Sequence, residues 1–342
     1  MKAALLNGPC SITVKDVDIP DVPPGFALLR SARTGICGSD LHMYRGDWAQ
    51  PKYAGGHELA GIVERIGEGV TRVSVGDPAC AECFSHCGTC RFCILGEYQL
   101  CDHRVFIASA AHGGFAEYAL LHESSLYRMP KDMSLEHGAL VEPLAVSHRA
   151  VCQTGLRGGE SLAVIGAGAI GLTAVIAGRA LGAGRVIATA RYPHQAELAE
   201  RLGATDVVLG EGDTLRKEIN ALTGGMGVDT VVETTATSSG LNDAFHLARK
   251  AGRVSLVGGY SKPVSAELGM VVGKELIIVG SCCYGFHGAR TDFEAAIDLL
   301  YTGKASADAM VTHRFSLDET PAAFQTAHDK ASGAVKVMIC QS

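Results

Sequence analysis

The sequence has no surplus of basic charge: 30 Lys and Arg stand against 36 Asp and Glu, a formal net charge of −6. A face that neutralises nucleic acid or an anionic lipid surface needs the opposite balance, so neither partner is expected. An apolar leader is missing too. Met1-Lys2-Ala3-Ala4-Leu5-Leu6 reaches Pro9 and Lys15 before a signal-peptide core can accumulate, and a cytoplasmic location is the expectation. Internal repeats and low-complexity tails are absent. One stretch, Ser161 to Gly178, carries no charge and approaches membrane-spanning length. Gly166, Gly168 and Gly171 interrupt it early, so a strand, a turn and a helix account for it better than a membrane span.

What is present points to two domains. A chain of 342 residues is long for one core, and 47% hydrophobic with 19% charged residues is ordinary globular composition. The 42 glycines are spread through apolar stretches, as tight turns and close backbone approach require. From about Leu144 to Cys282, β-branched runs alternate with amphipathic ones. Strands are expected at Leu162–Ile165, Arg185–Thr189, Asp206–Leu209, Thr230–Glu233, Arg253–Val257 and Glu275–Val279, with helices such as Leu241–Lys250 between them. Six strands with intervening helices predict an α/β doubly wound parallel sheet of the Rossmann type over 144–282. Residues 1–143 mix short strands with loops rich in Gly, Pro and Cys, which predicts a mainly β domain. The tail 283–342 is too short to fold alone and is expected to complete that first domain.

Gly166-Ala167-Gly168-Ala169-Ile170-Gly171 follows the first strand of the sheet and opens a helix. The first glycine permits the turn, the second lets a pyrophosphate approach the backbone, and the third lets helix and strand pack closely. The helix start offers free N–H groups and a positive dipole end to phosphate. Where an NAD site usually carries an acid for the ribose, the sequence reads Thr189-Ala190-Arg191-Tyr192. An acid there would repel the 2′-phosphate of NADP, whereas Arg191 can pair with it and Tyr192 can pack on adenine. NADP is therefore favoured, with NAD as the alternative.

Of 12 cysteines, Cys87, Cys90, Cys93 and Cys101 give C-x2-C-x2-C-x7-C. Four thiolates at that spacing close a tetrahedral zinc shell with no open position, so the site is structural; an iron–sulfur cluster is the rival for four cysteines. Cys80 and Cys83 lie just outside that spacing, and Cys10, Cys152, Cys282, Cys283 and Cys340 read as buried apolar residues. A second constellation pairs Cys37-Gly-Ser39-Asp40-Leu-His42 with Gly56-His57-Glu58, and adds Glu142 at the expected domain junction. Cys, His and a carboxylate are what an open catalytic zinc requires. Singly, each has a plain reading: a buried thiol, a core histidine, an acid beside Pro143 at a helix start.

Together these motifs resemble the zinc-containing medium-chain alcohol dehydrogenases over essentially the whole chain. The Glu142-Pro143 junction is most similar to the polyol (sorbitol) and threonine dehydrogenase branch. The resemblance implies a GroES-like catalytic domain beside the Rossmann domain, two zinc ions per chain and a homodimer or homotetramer. It implies that Cys37 and His57 bind the catalytic zinc, with Glu58 or Glu142 completing the shell. It also implies that Asp40 orients His57 and that Ser39 and His42 relay the proton. The activity it implies is hydride transfer between a secondary alcohol, polyol, sugar, cyclitol or amino alcohol and NAD(P). Asp47, in Tyr44-Arg-Gly-Asp47-Trp48, is expected to accept hydrogen bonds from substrate hydroxyls. A cofactor-binding redox sensor of the same fold, without alcohol turnover, is the alternative function.

Overall fold

The computed structural model describes residues 1–341. The chain divides into two compact units, one taking Met1–Glu142, Ala296–Tyr301 and the residues from Val311 onward, the other Pro143–Ala295 and Thr302–Met310.

Alternating burial builds the first unit. Phe26–Gly35 is its longest strand, and its neighbours are Glu58–Ile66, Tyr118–His122 and Lys336–Cys340, all antiparallel to it. Pro78–Ala81, Leu126–Arg128 and Val311–Phe315 complete a seven-stranded sheet. Ala27, Leu29, Leu59, Val63, Ala79 and Leu121 fill its core. A strand pair, Lys2–Leu6 with Ile12–Asp16, packs with the helix Thr320–His328 around a second core containing Phe115 and Phe324. Lys336–Cys340 inserts the tail into this sheet, as expected for the end of the chain.

The second unit is a six-stranded, wholly parallel sheet. Its spatial order is Asp206–Leu209, Arg185–Ala190, Ser161–Ile165, Val228–Glu233, Ala248–Leu256, Ile277–Gly280. In sequence terms that order is 3-2-1-4-5-6, that of the doubly wound dinucleotide-binding fold. The strands fall where β-branched runs predict them. The helix expected over 241–250 instead runs Ser238–Leu247: the Thr237 side chain accepts from Gly240 N–H and starts it early, and Ala248 turns extended. The uncharged stretch at 161–178 is a strand, a turn and the helix Ala169–Ala180, and among the described residues no helix is long and apolar enough to cross a membrane.

Two differences from the sequence reading bear on function. Residues 283–295 lie with the second unit rather than with the first. Tyr284 and Phe293, both fully buried, pack edge to face at 4.8 Å, and Asp292 accepts from Gly285 N–H at 2.8 Å. Glu142 and Pro143 lie in the middle of a 19-residue helix, Leu135–Gln153, not at a helix start. Pro143 removes one intrahelical hydrogen bond there.

Glu82 is fully buried, and its Oε1 accepts from Tyr98 at 2.5 Å and Tyr127 at 3.0 Å. These bonds tie the cysteine-rich loop to the sheet. Burial, only partly offset by the two tyrosines, pushes the carboxyl from 4.5 up to about 8. The folded state therefore holds this proton at pH values where the unfolded chain has released it. The group costs nothing below pH 4.5 and an increasing amount as pH rises from there to about 8. Glu82→Gln is expected to flatten that part of the stability profile. Denaturant midpoints taken between pH 5 and 8 check this, and a wild-type and variant difference that stays constant with pH counts against it.

Candidate metal and dinucleotide sites

The cysteine-rich loop presents its four sulfurs together. The Sγ atoms of Cys87, Cys90, Cys93 and Cys101 all lie within 4.8 Å of one another, with separations of 4.0 Å (87–93), 3.6 Å (90–93) and 3.5 Å (87–101). Zinc–sulfur bonds of about 2.3 Å place tetrahedral sulfurs roughly 3.8 Å apart, so the loop fits the ion. Backbone N–H groups of Cys90 and His103 point at Cys87 and Cys101 sulfur, each at 3.3 Å. N–H donation from Thr89 and Cys90 holds the Cys87 thiol below its ordinary value, which favours the thiolate a metal needs. The remaining cysteines divide. Cys80 and Cys83 are buried; of those expected to be buried, Cys152, Cys283 and Cys340 are half-buried and Cys10 and Cys282 exposed, Cys10 in a turn and Cys282 in irregular chain outside the sheets.

The second cluster is built on the helix Gly38–Arg45 and the strand Glu58–Ile66. Cys37 is the residue before the helix, and its N–H donates to Asp40 Oδ2 at 2.9 Å. Asp40 Oδ1 lies 3.9 Å from His57 Nδ1. Gly56 takes φ +88°, and a Cβ there would meet Phe115 and Thr34 within 2.9 Å, so glycine is what permits the turn that presents His57. Burial opposes charge on His57, yet the facing Cys37 and Asp40 outweigh it and hold the imidazole well above its ordinary value. Burial likewise pushes the Glu142 carboxyl up to about 7, against the pull of His57.

Glu58 is not free. Lys336, 1% exposed like Glu58 itself, donates to both carboxylate oxygens at 2.6 and 2.5 Å and to Ile36 O at 3.3 Å. A Cβ on Gly35 would lie 2.1 Å from Glu58 Oε2, so that glycine makes room for the carboxylate. Sequence reasoning missed Lys336. Its one signal is a charged residue inside the apolar run Ala334-Val335-Lys336-Val337-Met338-Ile339.

Cys37, His57 and Glu142 thus remain to hold a metal. Among the described residues they are not drawn into as tight a group as the lobe sulfurs. The donor set still suits a cation, since Asp40 and Glu58 act on Glu142 as like charges, while Cys37 and Glu142 both act on His57 and Lys336 as opposite ones. Ser39 and His42 lie three residues apart on one helix, hence on one face. His42 stacks on Trp48 at 4.8 Å, and its Nδ1 meets Arg45 Nη2 at 2.8 Å. Asp47, expected to serve substrate hydroxyls, instead accepts from Arg45 Nε at 2.8 Å and lies 3.1 Å from His42 Nδ1. The short loop folds it back onto its own helix.

In the second unit the glycine motif sits between Ser161–Ile165 and Ala169–Ala180, with Gly166 at φ +92° and Gly168 at the helix cap. Gly166 N–H donates to Thr189 Oγ1 at 2.9 Å, which ties the turn to the neighbouring strand. Ala169 and Ile170 form the first turn of that helix. Ala190 is buried at its strand end, Arg191 is exposed, and Tyr192 stacks with His194 at 5.6 Å.

The comparisons agree with this division. Residues 23–131 match the family model for the alcohol dehydrogenase GroES-like domain, and 169–302 that for zinc-binding dehydrogenases. A sorbitol dehydrogenase of Bacillus subtilis is 32% identical over 99% of this chain and 97% of its own. A zinc-binding dehydrogenase structure from Sinorhizobium meliloti, bound to NADP, is 31% identical, with a TM-score of 0.88 over 99% of both chains. An alcohol dehydrogenase of Escherichia coli CFT073, complexed with NADH, is 27% identical, with a TM-score of 0.91 over 100% of this chain and 99% of that one.

A Cβ on Gly171 would lie 1.7 Å from Gly166 O. Gly171→Ala must therefore push the helix off the turn, and dinucleotide affinity is expected to fall at least about tenfold, an effect of ~1.4 kcal/mol. Fluorescence titration with NADPH and NADH measures it; affinity within twofold of wild type counts against this account of the turn.

Proposed function

The chain belongs to the zinc-containing medium-chain dehydrogenases, and from that membership we propose that it transfers a hydride between a polyhydroxylated secondary alcohol and NADP. The observation that carries the reading is the group of half-buried Cys37 and His57 with buried Glu142, beside Lys336 holding Glu58 aside. Cys37, His57 and Glu142 would hold a catalytic zinc, and Cys87, Cys90, Cys93 and Cys101 a structural one. Zinc held there would supply Lewis acidity toward a substrate oxygen, and a dinucleotide held in the second unit would supply hydride chemistry. Asp40 orients His57 and fixes the start of the helix that Cys37 caps. Ser39 accepts the alcohol proton and His42 passes it toward solvent, a task suited to an imidazole. Arg45 and Trp48 hold the His42 ring in place.

Gly166, Gly168 and the N–H groups of Ala169, Ile170 and Gly171 would receive the pyrophosphate. Ala190 leaves out the carboxylate that would repel a 2′-phosphate, and exposed Arg191 supplies a cation for it. A homo-oligomer, dimer or tetramer, is part of the same reading. Ile277–Gly280 is an edge strand of the parallel sheet, and Ile277, Val272 and Leu268 beside it are more than half exposed.

Two measurements test these assignments. Glu142→Ala is expected to lose one zinc per chain and at least about a hundredfold in turnover. Glu58→Gln is expected to keep its zinc content and lose stability, because Lys336 is then buried without its partner. The reverse pattern of metal loss would assign Glu58 as the ligand. A cofactor-coupled screen of secondary alcohols, polyols and amino alcohols with NADP and NAD is expected to show turnover and a higher kcat/KM with NADP. Arg191→Ala should cut that preference by at least about tenfold, since one unit charge at ~4 Å is worth up to about 4 kcal/mol. No turnover of any alcohol with either cofactor would overturn the enzymatic reading in favour of a cofactor-binding sensor.

A further inference from the structure

A second group of metal-ligand residues lies wholly inside the dinucleotide-binding unit. His148 and Cys152 are one helical turn apart on Leu135–Gln153, and so share a face. Asp292 faces them from the start of the helix Asp292–Tyr301. One donor atom from each lies within 4.8 Å of the others. His148 Nδ1 is 2.6 Å from Asp292 Oδ1, and Cys152 Sγ is 3.8 Å from Nδ1 and 3.7 Å from Nε2. Asp292 is fully buried and His148 nearly so. The carboxylate is aimed by its surroundings: Oδ2 accepts from Gly285 N–H at 2.8 Å and lies 3.8 Å from Arg149 Nη1.

The approach to this group carries a fourth donor. The hairpin of Phe286–His287 and Arg290–Thr291 places the exposed His287 ring 6.4 Å from that of His148, near perpendicular to it. A tetrahedral ion with nitrogen, oxygen and sulfur ligands needs donor atoms about 3.3–3.8 Å apart. The sulfur-to-nitrogen distances already meet that. The imidazole–carboxylate contact, closed by a shared proton, must open by roughly 0.7 Å.

We propose that His148, Cys152 and Asp292, with His287 closing from the hairpin, form a further site for a borderline or soft divalent cation such as Zn2+, Co2+ or Cd2+. One thiolate, one carboxylate and two neutral imidazoles balance the dication. A mixed nitrogen, sulfur and oxygen set selects against Mg2+ and Ca2+, which take oxygen alone. Burial pushes the Cys152 thiol up to about 12, so the ion must displace the proton on that sulfur as it binds. Bound metal links the helix Leu135–Gln153 to the segment Gly285–Asp292 within the same unit.

The test uses the zinc-loaded enzyme and Cys152→Ser, each dialysed to equilibrium against Cd2+, with bound metal read as the excess over the dialysate. Wild type is expected to hold one more metal equivalent per chain than the variant. With Co2+ it should show an additional thiolate-to-cobalt absorption in the difference spectrum between the two. Because the readout is a difference, it stands whatever the occupancy of the two sites assigned above. It can therefore fail while they hold, or hold while they fail. Equal metal content in both proteins overturns the site. His287→Ala changes an exposed hairpin residue, so folding is not at stake, and should bind the extra equivalent at least about tenfold more weakly. Unchanged affinity there overturns the four-ligand set.

Discussion

A lysine ammonium and a glutamate carboxylate face each other at 2.5 to 2.6 Å inside the first unit, each 1% exposed to solvent. Neither charge could stay there alone, since breaking a buried pair costs about 3–5 kcal/mol. The pair joins the strand that follows His57 to the last strand of the chain, so the tail cannot leave the sheet without stranding Glu58. A carboxylate whose two oxygens both accept from an ammonium is a poor metal ligand, and the proposal that Glu142 joins Cys37 and His57 rests on that. In that proposal one residue near position 336 bears on a cluster whose other members lie within the first 142 positions.

The dinucleotide side rests on a constraint of space. Gly171 lets the helix Ala169–Ala180 lie against the turn it starts from, where any side chain would overlap Gly166 O. That contact brings the first N–H groups of the helix to where a pyrophosphate would lie. Thr189 fixes the turn from the neighbouring strand, and Ala190 next to it removes the usual carboxylate. On the proposed reading, binding and selection are encoded separately, the first by what the backbone approaches and the second by one missing charge.

The parts legible in the sequence are those whose determinants are local. Strand periodicity located all six parallel strands, and the C-x2-C-x2-C-x7-C spacing located the sulfur cluster, because both depend on neighbours a few residues apart. Lys336 was invisible for the opposite reason: its partner is far away in the chain, and a lone Lys in an apolar run reads as a strand's solvent face. The helix Leu135–Gln153 was hidden by Pro143, which normally ends helices. The contact of Asp47 with Arg45, two residues earlier, was not legible either, because loop position says nothing of which side chain turns back to bind it.

The cysteines show how far residue type falls short of chemistry. In the Cys87–Cys101 loop, backbone N–H groups already point at sulfur and hold Cys87 toward the thiolate, so the site is organised before an ion arrives. At Cys152 the surroundings do the reverse: burial keeps the thiol protonated, and the imidazole and carboxylate beside it are closed on each other. The loop is not uniform, since burial pushes the Cys93 thiol up to about 12 while N–H donation holds Cys87 down. On the proposed reading, metal entering at Cys152 must displace that thiol's proton and open the imidazole–carboxylate hydrogen bond, whereas the four sulfurs of the loop already stand at metal-binding separations. The two proposed sites then differ chiefly in how far their donors must move.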